Sequence, residues 1–314
     1  MMENFTATPL IAAEEVRKNF FKSFILVALI VALIIGASWW IGTMLGDVKT
    51  GLFIGFIVVA VVLPIQILTA KWAILAMASG RAANPNDLRE RRALHILEGL
   101  AVSAGLKRTP ELYIIPSRVP NAFASGWSEN DAFVGVTESL LDMMDDQELE
   151  GVIAHEVGHI IHRDIMLNQL VVALISALLI LAFIIERIGI ASAFSGGNRR
   201  KRDDNGGGGV ILIIILLAML VRPIAALLGA LLQMGISRQR EYAADAVAVR
   251  LCSYNEGLAR ALAKLGGLDT LDNEDVQSLG GKEMACMYIH FPGAELFSTH
   301  PPIAERVRRL RNMY

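Results

Sequence analysis

HEVGH at residues 155–159, set within DDQELEGVIAHEVGHIIHR at 145–163, decides how this chain is read. Leu149, Val152, Ile153, Val157, Ile160 and Ile161 recur at helical spacing, so the stretch predicts a helix with one apolar face. Asp145, Asp146 and Glu148 gather at its start, where the helix macrodipole favours negative charge. His155 and His159 stand one turn apart and therefore share a face. Two imidazoles so placed can hold a Zn²⁺ ion from one side. Glu156, beside the first histidine, can reach a water on that ion and accept its proton. His162 follows three residues later and reads as an exposed or helix-capping histidine, since two histidines and one distant ligand already make a familiar zinc set.

The third ligand is expected from elsewhere in the chain. Residues 240–245 read REYAAD, and the alanines and valines that continue through Leu251 are helix formers or apolar fillers. Glu241 and Asp245 are four apart and share a face. Glu241 can complete the zinc sphere through oxygen, and Asp245 can accept the second ring N–H of a liganding histidine and fix its tautomer.

Four motifs in this order carry a resemblance: NAFASG at 121–126, HEVGH at 155–159, EYAAD at 241–245 and THPPIAER at 299–306. Together they resemble the HtpX family of membrane-embedded zinc endopeptidases, relatives of the CAAX prenyl endopeptidases, over nearly the whole chain. The resemblance implies a gluzincin-like catalytic domain with His155, His159 and Glu241 as zinc ligands and Glu156 as general base. It further implies that Asp245 supports a ligand, that His300 lies near the transition-state oxyanion and that Arg306 supports the site. It assigns binding of an extended substrate to the strand edge formed by Asn121, Ala122, Phe123 and Ala124.

Composition agrees with a membrane enzyme. The chain has 314 residues, of which 54% are hydrophobic, and a mean hydropathy of +0.48, with long apolar runs that read as membrane spans. A net charge of −2 gives no reason to expect a nucleic-acid partner. Cys252 and Cys286 belong to no CxxC pattern and read as free thiols of a reducing compartment.

The apolar runs organise the chain. Residues 24–42 and 51–70 each have spanning length, with Pro64 as a kink in the second and Trp39, Trp40 and Trp72 near the interfaces. Arg17, Lys18 and Lys22 precede the pair, and Lys71, Arg81, Arg89, Arg91 and Arg92 follow it, which puts both flanks and the zinc site in the cytoplasm. Two further runs, 165–185 and 210–236, flank a glycine-rich basic loop at 195–209 and separate His159 from Glu241 by 81 residues. If both span, Arg199, Arg200, Lys201 and Arg202 lie outside against the positive-inside bias, and Arg222 lies deep in the bilayer. A partially inserted hairpin is the alternative.

The expected organisation is a cytoplasmic tail (1–23), a transmembrane hairpin (24–71), a first catalytic part (72–164), a second apolar hairpin (165–236) and a second catalytic part (237–314). Strands are predicted at 111–116, 121–126 and 131–137, the last two joined by a turn. Helices are predicted over 255–265 and after Pro301-Pro302, the latter with a basic face. The expected fold is α+β, mainly α, with a small antiparallel sheet and four apolar helices in the bacterial inner membrane. The expected activity is zinc-dependent endopeptidase cleavage, the resemblance implying unfolded or damaged membrane proteins as substrates and membrane lipid as surroundings. A CAAX-type prenyl peptidase and a non-catalytic zinc-binding membrane scaffold are the alternative readings.

Overall fold

The computed structural model describes residues 31–40, 46–167, 169–170, 238–266 and 301–313, with single positions at 17, 21, 24, 25, 27, 28, 42, 43, 183 and 187. His300, the loop at 195–209, the fourth apolar run, Cys286 and most of the third run lie outside the described residues. The chain divides into two compact units: one takes Ala70–Gln169 and the described part of Gln233–Tyr314, the other the described part of Lys22–Thr69.

The smaller unit is apolar helix. Helix α1 (Val31–Trp40) is followed by α2 (Val48–Ile57), whose start is capped by Asp47 accepting from the Thr50 N–H at 3.2 Å and hydroxyl at 2.6 Å. A π-helical turn (Val58–Val62) leads into α3 (Leu63–Met77). The axis bends by 48° between Val48–Val62 and Pro64–Met77, where proline removes a backbone donor. Among the described residues no single helix is long and apolar enough to cross a membrane, whereas this bent pair passes as one broken span by length and composition. Phe53, Phe56, Ile65 and Leu68 are exposed on it. Two of the four expected apolar helices therefore have described counterparts, and the helix of the second runs beyond Lys71 to Met77.

The larger unit is built around one buried helix. Its sheet holds β1 (Arg81–Ala82), β2 (Glu111–Ile115), β3 (Ala122–Ser125) and β4 (Phe133–Thr137) in the order β1-β2-β4-β3. The expectation of an antiparallel sheet is wrong: β3 and β4 form an antiparallel hairpin, but β4 returns between β3 and β2 and runs parallel to β2. The cause is the connection after β2, which carries the chain to the outer position before the hairpin brings it back. Every residue of β4 is buried, as the central position requires.

Helices α4 (Leu88–Ser103) and α5 (Glu138–Met143) precede α6 (Asp146–Ile161), which carries HEVGH. Asp145 and Glu148 form a reciprocal capping box at the start of α6, each carboxylate accepting the other's backbone N–H at 2.9 Å. The acids read from sequence as dipole partners thus also close the first turn. Leu149, Val152, Ile153, Val157 and Ile160 are fully buried in the main core. Helices α7 (Arg238–Cys252), α8 (Glu256–Gly266) and α9 (Ile303–Arg311) complete the unit. Two glycines let neighbours reach the α6 backbone. A methyl group at Gly151 would lie 2.6 Å from the Leu258 backbone nitrogen of α8, and one at Gly158 would lie 3.2 Å from the Ala244 Cα of α7.

Candidate metal centre

Helix α6 brings His155 and His159 to the face that meets α7, and the close approach at Gly158 brings Glu241 opposite them. The two Nε2 atoms are 3.2 Å apart, and the Glu241 carboxylate lies 3.6 Å from that of His155 and 3.5 Å from that of His159. Among the described residues these three form the group able to hold a metal, with ligand atoms within 4.8 Å of one another. Zn–N bonds of about 2.0–2.1 Å in a tetrahedron place ligand atoms about 3.3–3.4 Å apart, so the observed spacings fit a zinc ion.

The other ring nitrogens explain why the Nε2 atoms converge. His155 Nδ1 lies 2.9 Å from Asp245 Oδ1, and His159 Nδ1 lies 3.0 Å from Asp164 Oδ2. A carboxylate accepts only, so in the neutral imidazole that a metal takes, each Nδ1 carries the proton and each Nε2 offers a lone pair. Two lone pairs facing each other at 3.2 Å repel unless a cation or a proton lies between them. A His₂Glu donor set is the one that catalytic zinc takes when one position stays open for water or substrate.

Each acid is backed by an arginine. Arg306 grips Asp245 with two bonds, Nη2 to Oδ1 at 2.7 Å and Nε to Oδ2 at 3.0 Å, and is itself fully buried. The same Nη2 lies 3.3–3.4 Å from both nitrogens of the His155 ring. Since Nδ1 already donates to Asp245, the guanidinium lies across the ring rather than bonding to it. Arg240 reaches Asp164 Oδ1 at 3.2 Å.

These contacts set the titration of the group. Burial and the positive charge of Arg306 push His155 down, but the carboxylates of Asp245 and Glu241 outweigh both and hold it at about 9. Burial pushes Asp245 up, and Arg306 and His155 together bring it down to about 2. Burial likewise opposes ionisation of Asp164, and the bond from His159 with the charge of Arg240 keeps it below the usual carboxylate value.

The structure thus gathers His155, His159, Glu241, Asp245 and Arg306 into one cluster. Glu156 is buried beside His155 on the same helix. His162 caps the C-terminus of α6 and is not in the metal-capable group, while His300 is outside the described residues. Ala122, Phe123 and Ala124 lie on β3, the outer strand of the sheet among the described residues, with Asn121 just before it, and all four are buried. Thr137 N donates to Asn121 O at 3.0 Å, so the backbone of Ala122 and Ala124 turns to the side away from β4, where the Ala122 N–H is taken by Asn121 Oδ1. The Phe123 ring covers Gly135 and stands edge-on to Phe133, so that side chain packs the sheet. Sequence reasoning missed Asp164 and the part played by Arg240. The available signal was an acid standing immediately before an apolar run.

Residues 87–314 match peptidase family M48. A "Protease HtpX homolog" of Streptococcus gordonii is 36% identical over 299 residues, covering 92% of this chain and 95% of that protein. One from Desulfatibacillum aliphaticivorans is 37% identical over 248 residues, covering 76% and 73%. Among solved structures, the crystal structure of S. mikatae Ste24p superposes with a TM-score of 0.47 at 19% identity, over 93% of this chain and 66% of that one. A likeness of that degree carries no weight beside the sequence match.

Proposed function

The chain belongs to peptidase family M48 and is a metalloprotease, and on that premise we propose that it is a membrane-bound, zinc-dependent endopeptidase. His155, His159 and Glu241 are its zinc ligands and Glu156 its general base. The observation that carries this reading is the pair of converging Nε2 atoms closed by the Glu241 carboxylate, with a buried glutamate next to the first histidine.

A Zn²⁺ ion in this group supplies a Lewis acid beside the scissile carbonyl and lowers the pKa of a neighbouring water toward about 7. Glu156 takes the proton of the attacking water and later passes it to the leaving amine. Asp245 and Arg306 hold His155 in the tautomer that offers Nε2. His300 donates to the developing oxyanion. An extended substrate pairs with the outer side of β3 at Ala124, and Asn121 limits the pairing at one end.

The chain is arranged as a tail (1–23), an anchoring hairpin (24–71) and a catalytic domain in two parts (72–164 and 237–314), interrupted by a second apolar hairpin (165–236). The positive flanks favour the bacterial inner membrane with the site facing the cytoplasm. Recognition through backbone bonds suits unfolded or damaged membrane proteins, because such bonds ignore side chains.

The test is full-length protein in detergent, loaded with zinc and given an unstructured casein-like substrate, with Glu156→Gln beside it. The variant is expected to keep one zinc per chain and to lose about 10²–10⁴-fold in cleavage rate. Wild-type turnover in the variant would remove Glu156 from the mechanism.

A further inference from the structure

Asp164 is five residues beyond His159, and the chain returns to the histidine by an uncommon route. Helix α6 ends at His162, Arg163 takes a left-handed conformation with φ of 57°, and Asp164 opens the next helical turn. A left-handed residue that is neither glycine nor asparagine is uncommon. This turn points the Asp164 carboxylate back at Nδ1 of His159. Asp164 is 1% exposed, and a buried carboxylate is costly unless paired. One oxygen takes the bond from His159 and the other the bond from Arg240.

We propose that Asp164, backed by Arg240, is a positioning residue for metal binding that fixes the ring of His159. It rests on the reading of His155, His159 and Glu241 as metal ligands. The two histidines differ in how much else restrains them. The His155 side chain is 1% exposed and has Arg306 across its ring, while that of His159 is 15% exposed and has no such cover among the described residues. Without the bond at Nδ1 the His159 imidazole can flip, placing Nδ1 where Nε2 should be, or take the other tautomer and offer an N–H to the metal. Asp164 excludes both. Arg240 keeps the carboxylate charged and aimed, and it does so from the residue next to Glu241, so the second and third ligands share one support.

The experiment uses the full chain in detergent after removal of metal. Zn²⁺ affinity is measured by competition with a chelating dye, and Co²⁺ absorption spectra report the ligand field. Asp164→Ala is expected to weaken Zn²⁺ about 10–100-fold and to shift the Co²⁺ bands. Asp164→Asn keeps an acceptor and should recover part of the loss, and Arg240→Gln should give a smaller loss of the same sign. In a His159→Ala background, Asp164→Ala should add nothing, because its effect passes through that ring. Wild-type affinity and spectrum in Asp164→Ala, with wild type binding one metal, would overturn the positioning role alone. Wild type that binds no metal would overturn the ligand reading as well. If Asp164→Ala does not fold, unchanged affinity in both Asp164→Asn and Arg240→Gln would overturn the role.

Discussion

The cluster able to hold a metal rests on two arms of the same chemistry and different construction. The inner arm runs His155–Asp245–Arg306, the outer His159–Asp164–Arg240. Their histidine-to-acid bonds are nearly equal, 2.9 and 3.0 Å. The arginines differ: Arg306 makes two bonds to its acid, Arg240 one of 3.2 Å. Inner-arm residues come from three helices, with Arg306 151 positions from His155, whereas Asp164 is five positions from its histidine. The inner arm therefore closes the fold across α6, α7 and α9, and the outer arm is a local turn tied once to α7. Breaking the first should be felt mainly as lost stability, breaking the second mainly as lost metal.

Arg306→Ala is the strongest way to break the comparison. It strips a fully buried charge from a buried partner, and unfolding should become easier by about 3–5 kcal/mol. Denaturant unfolding of the metal-free protein measures this, and a loss below about 1 kcal/mol would show that the inner arm is no more structural than the outer. A smaller effect is expected at Glu90, a control outside the metal-capable group, where a half-exposed arginine grips a buried acid. Arg81 binds Glu90 at 2.6 and 2.9 Å and, with the Asn84 N–H, keeps its carboxyl below the usual value. A lowered folded-state pKa means stability that is present above about 4.5, the unfolded value, and is lost as pH falls through the folded one. Glu90→Gln should cost roughly 1–2 kcal/mol at pH 7, and its melting temperature should converge on wild type as pH drops below about 4.5. A gap independent of pH would mean that shape rather than charge matters there. The smallest effect is expected at Asp145→Ala, which opens the capping box for about 1 kcal/mol. Because α6 carries both histidines, melting should shift while Zn²⁺ affinity stays within about twofold; an unequal response of the two arms would show that the start of α6 controls ring orientation.

The legible part of this molecule was whatever depends on short spacing. HEVGH, the Glu241/Asp245 pair and the acids before α6 lie on helical periods, so sequence distance translates directly into shared faces. Asp164 escaped because its return to His159 depends on a left-handed Arg163, which no glycine announced. Arg240 carries no sequence signal that would pair it with Asp164, and the structure buries it, 7% exposed. The strands at 111–115, 122–125 and 133–137 were readable from their residues, but the parallel pairing of β2 with β4 was not, since it depends on which side the connection passes. Arg306 came only from family resemblance; its neighbours Arg308, Arg309 and Arg311 on α9 are solvated as the basic pattern suggested.

The order in which the cluster's members occur along the chain also sets a clock. A ribosome delivers His155, Glu156 and Asp164 well before Glu241, and Arg306 later still. Until then the nascent chain holds two histidines and Glu156 without the opposing carboxylate or the guanidinium that locks the inner acid. On the proposed reading the site is therefore assembled in a fixed order, the two histidines waiting first for the Glu241 carboxylate and then for the Arg306 guanidinium.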